Sequence, residues 1–143
     1  MSIFKTPVSI DILNDTLGNN MTKHVGIEFT EVGDDYLCAK MPVDHRTTQP
    51  YGILHGGASV VLAETLGSVA GYFCVDISKQ RVVGLEINAN HIRGVRDGFV
   101  YGKCTPIHIG GKTQIWSIEI KNEEDKMVCI SRLTLAVLDN DKK

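Results

Sequence analysis

Residues 58–75, ASVVLAETLGSVAGYFCV, decide the fold of this 143-residue chain. The stretch is long and apolar enough for one major helix, and Glu64 is its only charged side chain. His55-Gly56-Gly57 precedes it and Asp76 follows it, which predicts a helix over about 56–75. A helix that is apolar nearly all round needs cover on every side, so we expect one sheet to curl around it.

Strand-like segments lie on both sides of this helix. The alternation of Val83, Leu85, Ile87 and Ala89 with small or polar residues has the period of a half-buried strand. Further strands are predicted over 25–30, 36–41, 99–104, 113–120 and 127–138, and a short N-terminal helix over about 8–17. This order predicts an α+β fold with one antiparallel sheet in a single domain over residues 1–143. With so few helices to cover it, part of the outer sheet face or a sheet edge is expected to be an oligomer interface.

Composition and charge exclude several classes of protein. Apolar residues make up 43% of the chain, which excludes general disorder, and the net charge of −2 lacks the basic excess of a nucleic-acid binder. Cys38, Cys74, Cys104 and Cys129 form no CxxC pair, so we expect buried free thiols and no metal site. Glu64 argues against a membrane span over 47–75. The N-terminal residues do not resemble a signal peptide, which favours a cytoplasmic location.

Glu64 lies in a lane of small residues on the predicted helix. Helical spacing places on its face Gly57, Val60, Val61, Gly67, Ser68 and Gly71. Each glycine inside a helix costs about 1 kcal/mol relative to alanine, so either a backbone packs against the lane or a ligand enters it. Glu64 itself is either a structural ion-pair partner of an Arg or Lys, or a functional acid.

The sequence His55-Gly56-Gly57 supplies free backbone N–H groups at the positive end of the helix dipole. Such groups can bind a carbonyl oxygen as it becomes negative, and the alternative is a simple glycine turn entering a helix. Gln49 adds an amide in the preceding loop, which by itself indicates no chemistry.

Taken together, four segments resemble the hotdog-fold acyl-CoA thioesterases: 49–59 (QPYGILHGGAS), 63–68 (AETLGS), 83–91 (VGLEINANH) and 131–134 (SRLT). They are most similar to the aryl-CoA hydrolases, which include thioesterases of menaquinone and siderophore synthesis. The resemblance implies an antiparallel sheet wrapped around the central helix and hydrolysis of an aromatic CoA thioester, such as a hydroxybenzoyl- or dihydroxynaphthoyl-like one. It implies no metal and no cofactor, because coenzyme A is part of the substrate.

The resemblance also assigns roles to individual residues. Glu64 would be the nucleophile or general base, the N–H of Gly56 would polarise the thioester carbonyl, and Ser68 would hold the acid or its water. Gln49 and His55 would be positioning residues. The CoA tail would lie along Gly84, His91, Ile92, Arg93, Gly94, His108, Ile109, Gly110, Gly111, Lys112 and Thr113. Sequence alone favours the alternative that the segment 108–113 is a tight hairpin turn with an incidental lysine.

One helix cannot bring the acid and the N–H groups together. Glu64 lies eight residues after Gly56, which is about 12 Å along a helix, whereas reacting groups must approach within about 3–3.5 Å. We therefore expect the acid to come from a partner's antiparallel helix, in a homodimer with two composite sites that the family usually assembles into tetramers. Gly67 and Gly71 would permit the close approach of the helices.

Two other functions stay open at this point. The fold also serves non-catalytic acyl-CoA sensors, and related dimers act as hydratases or dehydratases. An intact Glu64 argues against a sensor, and the His-and-acid pattern of a hydratase is not seen. Candidate residues for shaping the acyl pocket are Tyr51, Val60, Leu66 and Phe73.

Overall fold

Helices and strands follow the predicted order, with one additional short helix. The computed structural model describes residues 1–141, without the side chain of Thr16. The elements are α1 (Ile10–Thr16), α2 (Met21–His24), β1 (Glu28–Val32), β2 (Leu37–Pro42), α3 (Gly56–Phe73), β3 (Gln80–His91), β4 (Phe99–Ile109), β5 (Thr113–Lys121) and β6 (Met127–Asp139).

The strands form one antiparallel sheet with the order β1-β2-β4-β5-β6-β3. Helix α3 packs against β2, β3, β4, β5 and β6, so the sheet curves around it. Strand β1 and the 12-residue strand β3 are the two edges of the sheet. This arrangement confirms the predicted α+β class and the hotdog fold that the resemblance implied.

The apolar side of α3 forms the centre of the core. Leu62, Leu66 and Ala70 are fully buried there, against side chains of the sheet such as Trp116. Gly102 lets the helix come close to β4, because a Cβ at this position would lie 2.6 Å from Leu66 Cδ1. Burying each large aliphatic side chain contributes about 1.5–3 kcal/mol to stability, so this face fixes the helix on the sheet.

The expectation that Gly67 and Gly71 face a partner's helix is wrong. A Cβ on Gly67 would lie 2.5 Å from Leu133 Cδ2, and one on Gly71 would lie 2.4 Å from Leu135 Cδ1. Both leucines belong to β6 of the same chain. The two glycines therefore let α3 come close to the sheet of its own chain. Of the two explanations for glycines inside this helix, close packing of a backbone is the one that fits these contacts.

The N-terminal segment folds over α3. Helix α1 is shorter than the predicted 8–17, and α2 was not predicted. The predicted strand over 25–30 begins only at residue 28, because Gly26 turns the backbone with a φ of +81° after the end of α2. Helix α3 ends at residue 73 rather than 75, where the N–H groups of Lys5 and Thr6 donate to the Phe73 carbonyl at 2.8 and 3.3 Å.

The four cysteines are free thiols, as predicted, but only three of them are buried. Cys38 is half-buried on β2. Burial raises the pKa of Cys38 and of Cys74 to about 11, and that of Cys104 to about 12. No helix within residues 1–141 is long and apolar enough to cross a membrane.

Candidate active site

Glu64 lies half-buried between α3 and the edge strand β3. Its Oε2 accepts a hydrogen bond of 3.1 Å from Ser68 Oγ, one helical turn further along. A Cβ on Gly84 would lie only 3.3 Å from Glu64 Oε2, at a point where the β3–β6 register shifts. No ion pair among residues 1–141 involves Glu64, so the structure shows no structural pair of Glu64 with an Arg or Lys of that range.

His55 caps the start of α3. Its backbone is extended, with φ −68° and ψ 130°, and its Nδ1 accepts the N–H of Gly57 at 2.8 Å. The carbonyl of His55 accepts the N–H of Ala58 at 2.9 Å. The backbone N–H of Gly56 has no hydrogen-bond partner among the residues that the structure describes. A helix N-terminus with a free N–H is a site for a negative oxygen atom.

A cleft of about 320 Å³ opens at this end of the helix. The ring of His91 lies over Gly56, where a Cβ would be 2.8 Å from His91 Nε2. The loop holding Gln49 is fixed by its own contacts, because Gln49 Oε1 accepts the N–H of Tyr51. The lining residues that were predicted as site residues are Gln49, Gly56, His91, Ile92, Arg93 and Gly94.

An ion pair stabilises the loop that leads to Gln49. Arg46 Nη2 lies 2.7 Å from Asp44 Oδ2, and this hydrogen bonding lowers the pKa of Asp44 to about 2. The hydroxyl of Thr47 is buried and donates to the carbonyl of Pro42 at 2.7 Å. The position of Gln49 therefore depends on contacts inside the loop, in addition to the apolar core.

The predicted segment 108–113 comprises the end of β4, a tight turn over 110–112 and the start of β5, at the other end of the sheet. The N–H of Gly110 donates to the carbonyl of Thr113 at 2.8 Å, and Lys112 accepts from Val137 at the same distance. His108 packs against Gly110, where a Cβ would lie 2.4 Å from His108 Nε2. The carbonyl of Lys112 is thereby attached to β6, which holds the turn against the sheet.

The predicted residues fall into two groups that a single chain keeps apart. Along β6, Thr113 pairs with Ala136, whereas His91 pairs with Cys129. Seven strand residues separate these partners, which is about 23 Å. One group comprises Glu64, Ser68, Gly84 and 108–113, and the other comprises Gln49, His55, Gly56 and 91–94.

The four residues named as candidates for the acyl pocket lie in different places. Tyr51 is 85% exposed, and Leu66 is fully buried below Gly102. Phe73 lines a second cavity of about 350 Å³. Val60 lines neither this cavity nor the cleft at the start of α3. The other residues around that cavity were missed: Leu13, Leu17, Ser68, Val69, Tyr72 and Val82. Helical spacing from Ser68 would have found Tyr72, because residues four apart share a face.

The chain is similar to known thioesterases. The family model described as "Thioesterase superfamily" matches residues 51–129. The 1,4-dihydroxy-2-naphthoyl-CoA hydrolase of Escherichia coli is 54% identical over 136 residues, which cover 95% of this chain and 99% of that protein. The proofreading thioesterase EntH of Cronobacter turicensis is 50% identical and covers 95% of this chain and 98% of its own length.

A solved structure shows the same fold. The crystal structure of a thioesterase from Haemophilus influenzae superposes with a TM-score of 0.92 at 50% identity, covering 96% of this chain and 95% of that one. The matches to the family model, to the relatives and to the solved structure all include the segment that carries Glu64 and the start of α3. The chain therefore belongs to the thioesterase superfamily and is a thioester hydrolase.

Proposed function

We propose that this enzyme hydrolyses an aromatic acyl-CoA thioester, with Glu64 as the nucleophile or general base. The observation that carries the proposal is the environment of this acid, which is half-buried, has no cationic partner among residues 1–141, and accepts a hydrogen bond from Ser68. A carboxylate in that position keeps oxygen lone pairs available for a substrate or a water molecule.

The oxyanion site is the start of α3. When an oxygen nucleophile adds to the thioester carbon, the carbonyl electron pair moves onto the carbonyl oxygen, and the free N–H of Gly56 donates to it. The C–S bond then breaks and the CoA thiolate leaves with the electron pair. If Glu64 is the nucleophile, this step leaves an acyl–Glu64 anhydride, and water then cleaves the anhydride to the free acid and restores the carboxylate. If Glu64 acts as a general base, it takes a proton from the attacking water, and this proton can go to the leaving sulfur.

The complete site requires two copies of the chain. Strand β3 is a sheet edge and exposes Val83 and Leu85, whose side chains are 42% and 61% accessible. Pairing of β3 with a second β3 about a two-fold axis would place two α3 helices antiparallel. The Glu64 group of one copy would then lie beside the Gly56 group of the other. We propose a homodimer with two such sites, assembled further into a dimer of dimers.

The CoA tail would lie along both groups of residues. The cations of Arg93 and Lys112 suit its phosphates, and Gly111 in the turn between β4 and β5 is exposed. The aromatic nature of the acyl group is supported by the naphthoyl-CoA hydrolase among the relatives. No metal or redox cofactor takes part in the proposed reaction.

Two substitutions at Gly56 test the oxyanion role. Proline fits at the first helical position, and the extended backbone of His55 is compatible with a following proline. Gly56→Pro removes the N–H, whereas Gly56→Ala adds the same Cβ beside His91 and keeps the N–H. We expect kcat to be about 10²–10³-fold lower in the proline than in the alanine variant. Equal kcat values would contradict the assignment.

Complementation between two inactive variants tests whether Glu64 and Gly56 of one site come from different copies of the chain. Glu64→Gln and Gly56→Pro are each expected to be nearly inactive with benzoyl-CoA. Mixing them through reversible unfolding would give mixed dimers with one intact site, and a 1:1 mixture should recover about a quarter of wild-type activity. A mixture that stays inactive, with dimers verified by light scattering, would show that acid and N–H act within one chain.

A further inference from the structure

We propose that α1 forms the outer wall of the acyl pocket and that Leu17, at its end, limits the size of the acyl group. The inference rests on the proposed function, because it concerns the same substrate. It is carried by the cavity of about 350 Å³ between α1, α3 and β3. A cavity of this volume lies at the lower end of the range for small organic ligands.

The cavity lies directly beside the proposed nucleophile. Ser68, whose hydroxyl donates to Glu64, is one of its lining residues. Val82 is another, and it precedes Gly84 by two strand positions, so both point to the same face of β3. A thioester whose carbonyl carbon meets Glu64 can therefore extend its acyl group into this space, while the CoA tail leaves on the other side.

The lining indicates an apolar, flat acyl group. Val69, Phe73 and Val82 offer carbon surface, and Ser68 and Tyr72 contribute the hydroxyl groups of the lining. The rings of Tyr72 and Phe73 meet edge to face with centroids 5.1 Å apart, and Tyr72 is 43% exposed. An exposed ring at a cavity provides a surface on which an aromatic group can pack. The chemical class that fits is an aryl ring system with few polar substituents.

Helix α1 is attached to the sheet independently of the catalytic residues. The amide of Asn14 makes two hydrogen bonds with the backbone of Phe29: Nδ2 donates to the carbonyl at 3.0 Å, and Oδ1 accepts the N–H at 2.8 Å. Leu13 is fully buried and Leu17 is half-buried beside the cavity. The proposed wall of the pocket is therefore the short helix α1, which hydrogen bonds attach to the edge strand β1. The position of α1 sets the depth of the pocket.

The test compares acyl groups of different size in two tryptophan variants. Leu17→Trp fills the cavity, whereas Ile10→Trp adds the same side chain at a position of α1 that does not line it and is already 41% exposed. In Leu17→Trp we expect kcat/KM for 2-naphthoyl-CoA to fall at least about 30-fold and that for butyryl-CoA to change less than about threefold. Ile10→Trp should change both less than about twofold.

A second variant covers the case in which Leu17→Trp does not fold. Asn14→Leu removes both hydrogen bonds to Phe29, so α1 should loosen, and KM for 2-naphthoyl-CoA should rise about tenfold while kcat for butyryl-CoA stays the same. A merely structural role would lower the activity toward both substrates together and would overturn the inference. So would an unchanged acyl preference in Leu17→Trp, which would leave hydrolysis itself intact. Absence of hydrolysis of every CoA thioester by the wild-type enzyme would instead refute the proposed function.

Discussion

The missing side chain of Gly84 leaves the space in which the carboxylate of Glu64 lies, since a Cβ there would be 3.3 Å from Oε2 and 3.4 Å from Oε1. Gly84→Ala should therefore displace the carboxylate by a few tenths of an ångström. We expect kcat to fall at least about tenfold, because misplacement of a reacting group by 1 Å can cost about 100-fold. Steady-state kinetics with benzoyl-CoA measures the effect.

The thermal unfolding midpoint of Gly84→Ala serves as its control. Alanine is better tolerated than glycine in a strand, so the midpoint should stay the same or rise slightly. A variant with wild-type kcat would contradict the link between the Gly84 position and the geometry of the acid.

Ser68 is predicted to fix the Glu64 carboxylate through its hydrogen bond of 3.1 Å. Ser68→Ala should lower kcat about 10–100-fold, since a hydrogen bond to a charged group is worth about 1.5–3 kcal/mol. Ser78→Ala is a matched control, because it removes a serine–carboxylate bond of 2.6 Å to Asp76 on the exposed turn after α3. Equal kinetic effects of the two substitutions would refute a specific role of Ser68.

Substitutions of the N-cap residue His55 can distinguish an effect on helix stability from an effect on catalysis. His55→Ala should lower the free energy of unfolding by about 1 kcal/mol, because the N–H of Gly57 loses its acceptor. His55→Asn should restore stability, since asparagine is a favourable N-cap residue. We expect kcat/KM to recover as well. An asparagine variant that is stable in urea but inactive would show that the imidazole itself contacts the reacting atoms.

Cys38 should react slowly with alkylating reagents near neutral pH. Burial, and then the charge of Glu31, raise its pKa to about 11. Because only the thiolate reacts, about one thiol in a thousand is reactive at pH 8, and the iodoacetamide rate should rise about tenfold per pH unit up to pH 10. Glu31→Gln should lower the pKa and accelerate the reaction at pH 8. A rate independent of pH, measured by mass spectrometry of the labelled peptide, would contradict this.

Local patterns in the sequence were sufficient to predict α3 and the strands. The run of apolar residues around Glu64 reflects burial against the sheet, and the alternation over 83–90 has the period of a strand, so both elements were found within a few residues. The face was predicted only in part, because the register shift between Gly84 and Glu86 leaves Val83 and Leu85 exposed. Helix α2 has only four residues, too few for a periodic signal. The start of β1 depends on the turn at Gly26, whose positive φ no periodicity indicates.

The site was predicted less completely, for a physical reason. Ser68 was found because residues four apart on a helix are neighbours. The neighbours of Gly67 and Gly71 were not found, since Leu133 and Leu135 come from β6, far away in sequence, and only the sheet register brings them there. The same applies to Leu13 and Leu17, which reach the cavity beside Ser68 through the packing of α1.

The unpaired edge of β3 has a consequence for how the enzyme works at low abundance. A long unpaired edge is a hazard for uncontrolled association unless another strand covers it. If a second copy supplies both that strand and some of the reacting groups, dilution dissociates the dimer and lowers the activity per molecule. At protein concentrations below the dissociation constant of the dimer, the rate should rise with the square of the protein concentration. Dimerisation would thus both cover the exposed strand edge and complete the active site.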